Sequence, residues 1–168
     1  MAAQTLDALV NEHYGTKGLL DRILTAARDA GIVLHDARSD DFSPVSEFHI
    51  GGRRATIDLA KMAQLCAGDK VLDIGSGLGG PARTLVEQFD VRVEGIDLTH
   101  EFCVVANELT RMTGLSNQAK FFQGDALSLP RDPNTYDVVW TQQSCMNIED
   151  KQQMFIEVCR VLKTGGTF

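Results

Sequence analysis

The stretch Val71-Leu72-Asp73-Ile74-Gly75-Ser76-Gly77-Leu78-Gly79-Gly80-Pro81 restricts this chain to few folds. A short apolar run, one carboxylate, a glycine-dense turn and a helix-compatible segment make a strand–loop–helix unit. Val71, Leu72 and Ile74 have the apolar, partly β-branched character of a buried strand. The glycines accept positive φ and let a ligand lie close to backbone. Pro81 suits the first position of a helix, where its missing N–H is no loss. The free N–H groups of that helix end then face the turn.

Spacing alone leaves two readings. Gly75, Gly77 and Gly80 fit G-x-G-x-x-G, which would seat a dinucleotide pyrophosphate on the helix end. Gly75, Gly77 and Gly79 fit a tighter G-x-G-x-G. Asp73 tips the balance. A fixed negative charge two residues before the first glycine suits a cationic or zwitterionic ligand better than a pyrophosphate. An ordinary strand–helix turn is the plain alternative.

Downstream, strand and helix patterns alternate. Strands are expected at Lys70–Ile74, Val91–Ile96, Ala119–Gln123 and Tyr136–Trp140, with helices at Pro81–Phe89, Thr99–Met112 and Glu149–Leu162. Such alternation implies a mostly parallel sheet with helices on both faces. Gly165-Gly166 reads as the turn into a fifth strand, and the sequence ends at Phe168. The domain therefore reads as incomplete at its C-terminus, with an exposed hydrophobic edge near Val138 and Val139 through which chains would self-associate.

Upstream, residues 1–52 read as a helical lid or cap and residues 53–168 as the core. Two helical pieces break near Gly15, and the second carries Leu19, Leu20, Ile23, Leu24 and Ala27 as one apolar stripe. Residues 35–48 read as an irregular polar loop marked by Ser43-Pro44, and a third helix is expected from Arg53 to Cys66.

A formal charge of −7 argues against nucleic acid as the main partner. No apolar run is long enough to span a membrane, and the N-terminus lacks the pattern of a signal peptide. Cys66, Cys103, Cys145 and Cys159 form no C-x-x-C pair. They read as buried free thiols in a reducing cytoplasm rather than metal ligands.

Several residues carry candidate chemistry. Asp97 ends the second strand about 20 residues beyond the glycine loop, where an acid reaches ribose hydroxyls. Gly124-Asp125-Ala126 follows the third strand, with Asp125 placed to accept from an exocyclic adenine amine and Ala126 leaving room for the ring. Gln142, in the polar stretch after Trp140, is the preferred contact to the rest of a ligand or to a second substrate. Gly51 and Gly52 open a helix and offer backbone to an anion, with Arg53 or Arg54 adding charge. His13 and Tyr14 are candidate pocket residues in the N-terminal lid.

Taken together, these residues resemble a known family. Val71–Arg83, with its Gly-Leu-Gly-Gly-Pro-Ala-Arg tail, is similar to the cofactor loop of class I S-adenosylmethionine methyltransferases. Asp97, Gly124-Asp125-Ala126, Tyr136-Asp137-Val138-Val139-Trp140 and Leu162-Lys163-Thr164-Gly165-Gly166 follow in that family's order. The resemblance is closest to the methyltransferase type 11 group, which includes glycine/sarcosine and phosphoethanolamine N-methyltransferases, and covers about residues 48–168. Thr164 departs from the usual proline, and Arg131 from a common apolar residue.

The resemblance implies a Rossmann-like α/β fold, lacking its last strands here, and methyl transfer from S-adenosylmethionine with S-adenosylhomocysteine as product. It implies a cofactor site of Asp73, Gly75, Ser76, Gly77, Gly79, Asp97, Leu98, Asp125, Ala126, Gln142, Gly51 and Gly52, with no metal. The acceptor is expected to be a small molecule, with an amine favoured over carbon or oxygen. His49 and Tyr14 are the only nominees for a base. The alternatives are a nicotinamide-dependent oxidoreductase domain and a non-catalytic methyltransferase-like fragment.

Overall fold

The structure, a computed structural model, describes residues 18–168. The first helical piece and the candidates His13 and Tyr14 lie outside the described residues.

Five strands form one parallel sheet: β1 (Lys70–Ile74), β2 (Arg92–Asp97), β3 (Ala119–Gln123), β4 (Tyr136–Trp140) and β5 (Leu162–Thr167). Their spatial order is β3-β2-β1-β4-β5. Before the sheet come α1 (Leu19–Asp29), α2 (Ser39–Ser46) and α3 (Gly52–Met62). Helices α4 (Gly80–Phe89), α5 (His100–Met112) and α6 (Lys151–Val161) connect the strands.

The strand pleat sorts the core. Val71 and Val93 join Ala82, Leu85 and Ala106 under α4 and α5, while their neighbours Leu72, Ile74 and Ile96 turn to the other face against Met154 and Val158 of α6. A third cluster seats Ile23, Ala27 and Phe42 on Leu78, Val105 and Leu109, so the N-terminal helices pack on the outer side of the first layer. The chain runs outward from β1 to β2 to β3 and then returns to pair β4 with the opposite side of β1. That reversal opens a crevice beyond the carboxyl ends of β1 and β4, the place where open parallel sheets bind ligands.

Four expectations need correction. Residues 39–46 form α2 despite Pro44. An interior proline costs a helix about 3 kcal/mol. Full burial of Phe42 and the bond from Arg38 N–H back to Asp41 Oδ2 (2.8 Å) oppose that cost. Their combined contribution is of comparable size, about 2–3 and about 1 kcal/mol.

Helix α3 stops at Met62 rather than Cys66, because Gln64 takes a left-handed φ of 56°. The fifth strand is present. It begins at Leu162 and contains Gly165-Gly166, with a register shift between the pairs Tyr136–Leu162 and Val138–Thr167. Val138 and Val139 are therefore buried, and among the described residues the sheet edges are β3 and β5. Finally, only Cys103 is buried; Cys145 is half-buried, and Cys66 and Cys159 are exposed.

Candidate active site

The crevice is a cleft of about 980 Å³. Its inner wall is built by three strand ends: Ile74–Gly77 after β1, Ile96–Thr99 after β2, and Gly124–Leu127 after β3. Its outer wall comes from the segment before α3 (Phe48, His49) and the loop after β4 (Gln142–Ser144, Met146–Asp150).

The glycine loop is held by backbone and by Asp97. Gly75 and Ser76 N–H donate to Ile96 O at 2.8 and 3.1 Å, which extends the β1–β2 ladder into the turn. Asp97 Oδ2 accepts from Gly77 N–H at 2.9 Å, and Oδ1 accepts from Thr99 N–H at 2.9 Å. Burial pushes the Asp97 carboxyl above the usual carboxylate range, against the pull of these bonds. Gly77 has φ 53° and would present a Cβ to open space, so its backbone is left uncovered toward the cleft. Gly75 serves closeness instead: a Cβ there would overlap Ser144, whose Oγ donates to Ile74 O at 2.8 Å.

Beneath the loop lies an unusual polar layer. Asp73 is 2% exposed, and its Oδ2 has no partner among the described residues. Burial, reinforced by the Asp97 charge, pushes its carboxyl up to about 7. Ser76 Oγ and Trp140 Nε1 are also buried without partners among the described residues. Arg83 on α4 is fully buried, and burial pulls its guanidinium down to about 10. Its Nη1 donates to Leu78 O at 2.9 Å and to Thr110 Oγ1 at 3.3 Å, clamping the loop's far end to α5.

On the outer wall, His49 sits in a closed ring of bonds. Its Nδ1 is 3.1 Å from Gln142 Nε2, its Nε2 is 3.2 Å from Thr56 Oγ1, and Thr56 Oγ1 donates to Gln142 Oε1 at 3.2 Å. A neutral imidazole carrying its proton on Nε2 satisfies all three contacts with one consistent direction of donation. Glu47 Oε2 lies a further 3.6 Å from Nε2. Both ring nitrogens are engaged, so His49 fixes the wall and has no free lone pair for a proton from the cleft.

Of the predicted residues, the structure brings Gly75, Ser76, Gly77, Asp97, Leu98, Asp125, Ala126, Gln142 and His49 together around the cleft. Asp73 and Gly79 lie behind the loop; Gly79 leaves room for the Phe121 ring. Gly51 and Gly52 do not line the cleft, and their turn serves to start α3. Arg53 pairs with Asp40 (3.0 Å) and Glu87 (2.6 Å) on the neighbouring helices, and Arg54 with Asp58 (2.8 Å) one turn on within α3. Sequence reasoning missed Phe48 and Phe102 as lining residues, whereas Ser144 and Asn147 belong to the polar stretch after β4 that it expected at the site.

The strand order and the crevice at its reversal define a Rossmann-like α/β protein. The chain belongs to the methyltransferase domain family, which it matches over residues 71–166. It is 35% identical over 133 residues to the 27-O-demethylrifamycin SV methyltransferase of Amycolatopsis mediterranei, covering 79% of this chain and 48% of that one. It is 36% identical over 101 residues to a sterol 24-C-methyltransferase of Gibberella zeae, covering 60% and 27%.

Among solved structures, phosphoethanolamine N-methyltransferase 2 of Haemonchus contortus in complex with S-adenosylmethionine superposes with a TM-score of 0.68 at 28% identity, covering 73% of this chain and 28% of that one. The chain thus spans less than half the length of each of these relatives. Membership in this family leaves the nicotinamide-binding alternative without support.

Proposed function

We propose that this protein binds S-adenosylmethionine in the cleft and transfers its methyl group to a small-molecule acceptor. The observation that carries this reading is the Gly75–Gly77 turn, bonded to Asp97 and open at Gly77, facing Asp125 across a crevice at the strand-order reversal. These residues fit a nucleoside. Asp97 is poised at the end of β2 for ribose hydroxyls, and Asp125, steadied by the bond from Leu127 N–H to its Oδ1 (2.8 Å), for an adenine amine. Ala126 and Leu98, which line the same cleft, would flank the base, and Ser76, Gln142 and His49 would border the amino-acid end. S-adenosylmethionine supplies an electrophilic sulfonium methyl for attack by a nucleophile.

The chain's own contribution is alignment and exclusion of water. With His49 committed on both nitrogens, an amine acceptor in its neutral form suits the site, because its lone pair needs no enzymic base. The relatives' names span transfer to nitrogen, oxygen and carbon, which is consistent with a shared cofactor half and a variable acceptor half. We place residues 18–52 as a cap beside the cleft and the protein in the cytoplasm, the latter on its free cysteines.

A thermal-shift titration with S-adenosylhomocysteine, run beside NAD, tests the reading. A ligand at 100 times its dissociation constant stabilises by about 2.7 kcal/mol, on the order of 5–10 °C for a domain of this size. The expected result is a shift with S-adenosylhomocysteine alone. A folded protein that shifts only with NAD, or with neither ligand, refutes it.

A further inference from the structure

Resting on that reading, we infer that the part of the acceptor seated in this cleft carries no phosphate group and presents a largely apolar body to the cleft mouth. The inference comes from the charges and surfaces of the outer wall.

Among the described residues, no lysine or arginine lines the cleft. Its charged residues are Asp97, Asp125, Glu149 and Asp150, all acidic. The nearby cations already have partners. Lys151, at the rim, donates from Nζ to Ile148 O at 2.7 Å, Arg53 pairs with Asp40 and Glu87, and Arg54 pairs with Asp58. The start of α6 also borders the cleft, and a helix N-terminus ordinarily attracts anions. Here it is already capped, since Asp150 Oδ1 accepts from Gln153 N–H at 2.9 Å. A phosphorylated acceptor would therefore shed its water for a lining with no charged donor and several like charges.

The mouth offers apolar surface in place of cations. Phe48 and Met146 line the cleft at 71% and 70% exposure, and Ile50, beside Phe48, is 84% exposed. Large apolar side chains grouped at a cavity rim mark a surface built to be covered. This rim is also held in shape. Ile50 N–H donates to Gln143 Oε1 at 3.1 Å across 93 residues of sequence, with Gln143 itself at φ 54°. The cleft volume, near the upper end of the range that takes one small ligand, leaves room for an acceptor body beside a cofactor.

A matched pair of probes differing only in charge tests this. The protein is first saturated with S-adenosylhomocysteine, and saturation is verified by the thermal shift. Binding of 1-naphthol and of 1-naphthyl phosphate is then followed by their fluorescence. The expected result is saturable binding of 1-naphthol, at least tenfold tighter than that of 1-naphthyl phosphate. Phe48→Ala combined with Met146→Ala should weaken 1-naphthol, and Glu149→Lys, at an exposed position, should narrow the gap by strengthening the phosphate.

Equal or tighter binding of 1-naphthyl phosphate overturns the inference. So does binding of neither probe to a protein that has shifted with S-adenosylhomocysteine. No shift with S-adenosylhomocysteine at the first step counts against the cofactor reading instead, which separates the two failures.

Discussion

Replacing Asp73 with asparagine is expected to stabilise this protein at neutral and alkaline pH. The carboxyl is 2% exposed in the middle of the sheet and titrates near 7 in the fold, against 3.8 in an unfolded chain. The direction follows from which state gives up the proton first. Between pH 4 and 7 the unfolded chain ionises Asp73 while the folded chain holds the proton, so stability falls as pH rises through that window. The loss is absent below 3.8 and complete above about 7.

At about 1.4 kcal/mol per pH unit the full loss comes to about 4 kcal/mol. Asparagine keeps the shape and one unpaired polar atom, as Asp73 Oδ2 is now, so the orphan's own cost changes little. The assay is urea denaturation followed by circular dichroism for both proteins at pH 5 and pH 8. Asp73→Asn should gain on the order of 3–4 kcal/mol over the parent at pH 8 and clearly less at pH 5. A smaller slope should survive in the variant, because the Asp97 carboxyl is raised as well. A variant no more stable than the parent at pH 8, or one with the parent's full pH slope, refutes the argument.

Other substitutions probe the loop and its supports. Gly75→Ala places a Cβ on Ser144 at φ 74° and should cost about 2–4 kcal/mol by denaturation, with loss of the S-adenosylhomocysteine thermal shift; Ser144→Gly in the same chain should recover part of the stability. Arg83→Ala removes the clamp on Leu78 O and leaves Glu47 without a buried counter-charge, so a loss of about 3–5 kcal/mol is expected in the same assay. Thr56→Val breaks the ring that joins His49 to Gln142 and should cost about 1–2 kcal/mol, with a weaker response to S-adenosylhomocysteine.

The core of the fold was legible because its signals are local. Each strand from β1 to β4 declares itself through a short apolar run, and the glycine turn and Asp97 are separated by a fixed strand–helix–strand distance. The misreadings come from places where distant contacts decide. Pro44 looks like a loop until Phe42 is seen buried against Leu78 and Leu109. Gly165-Gly166 looks like a turn until β5 is seen lying along β4.

The same division holds at the site. Gly77 and Asp125 could be placed from spacing, whereas Gly51, Gly52 and the following arginines resemble an anion site only until Asp40 and Glu87 take up Arg53. The ring of His49, Thr56 and Gln142 joins residues up to 93 apart, with no motif to connect them. The apolar rim of Phe48, Ile50 and Met146 likewise exists only once the two loops meet.

On the function proposed, the cleft between the glycine loop, Asp97 and Asp125 holds the methyl donor. Calorimetric titration of S-adenosylhomocysteine into the parent protein and into Asp125→Ala tests it most directly, because Asp125 borders the cleft without supporting the sheet. The account predicts one saturable site in the parent and at least tenfold weaker binding in a variant with an unchanged circular dichroism spectrum. Equal affinity in the two proteins, or no binding by a folded parent, would contradict it.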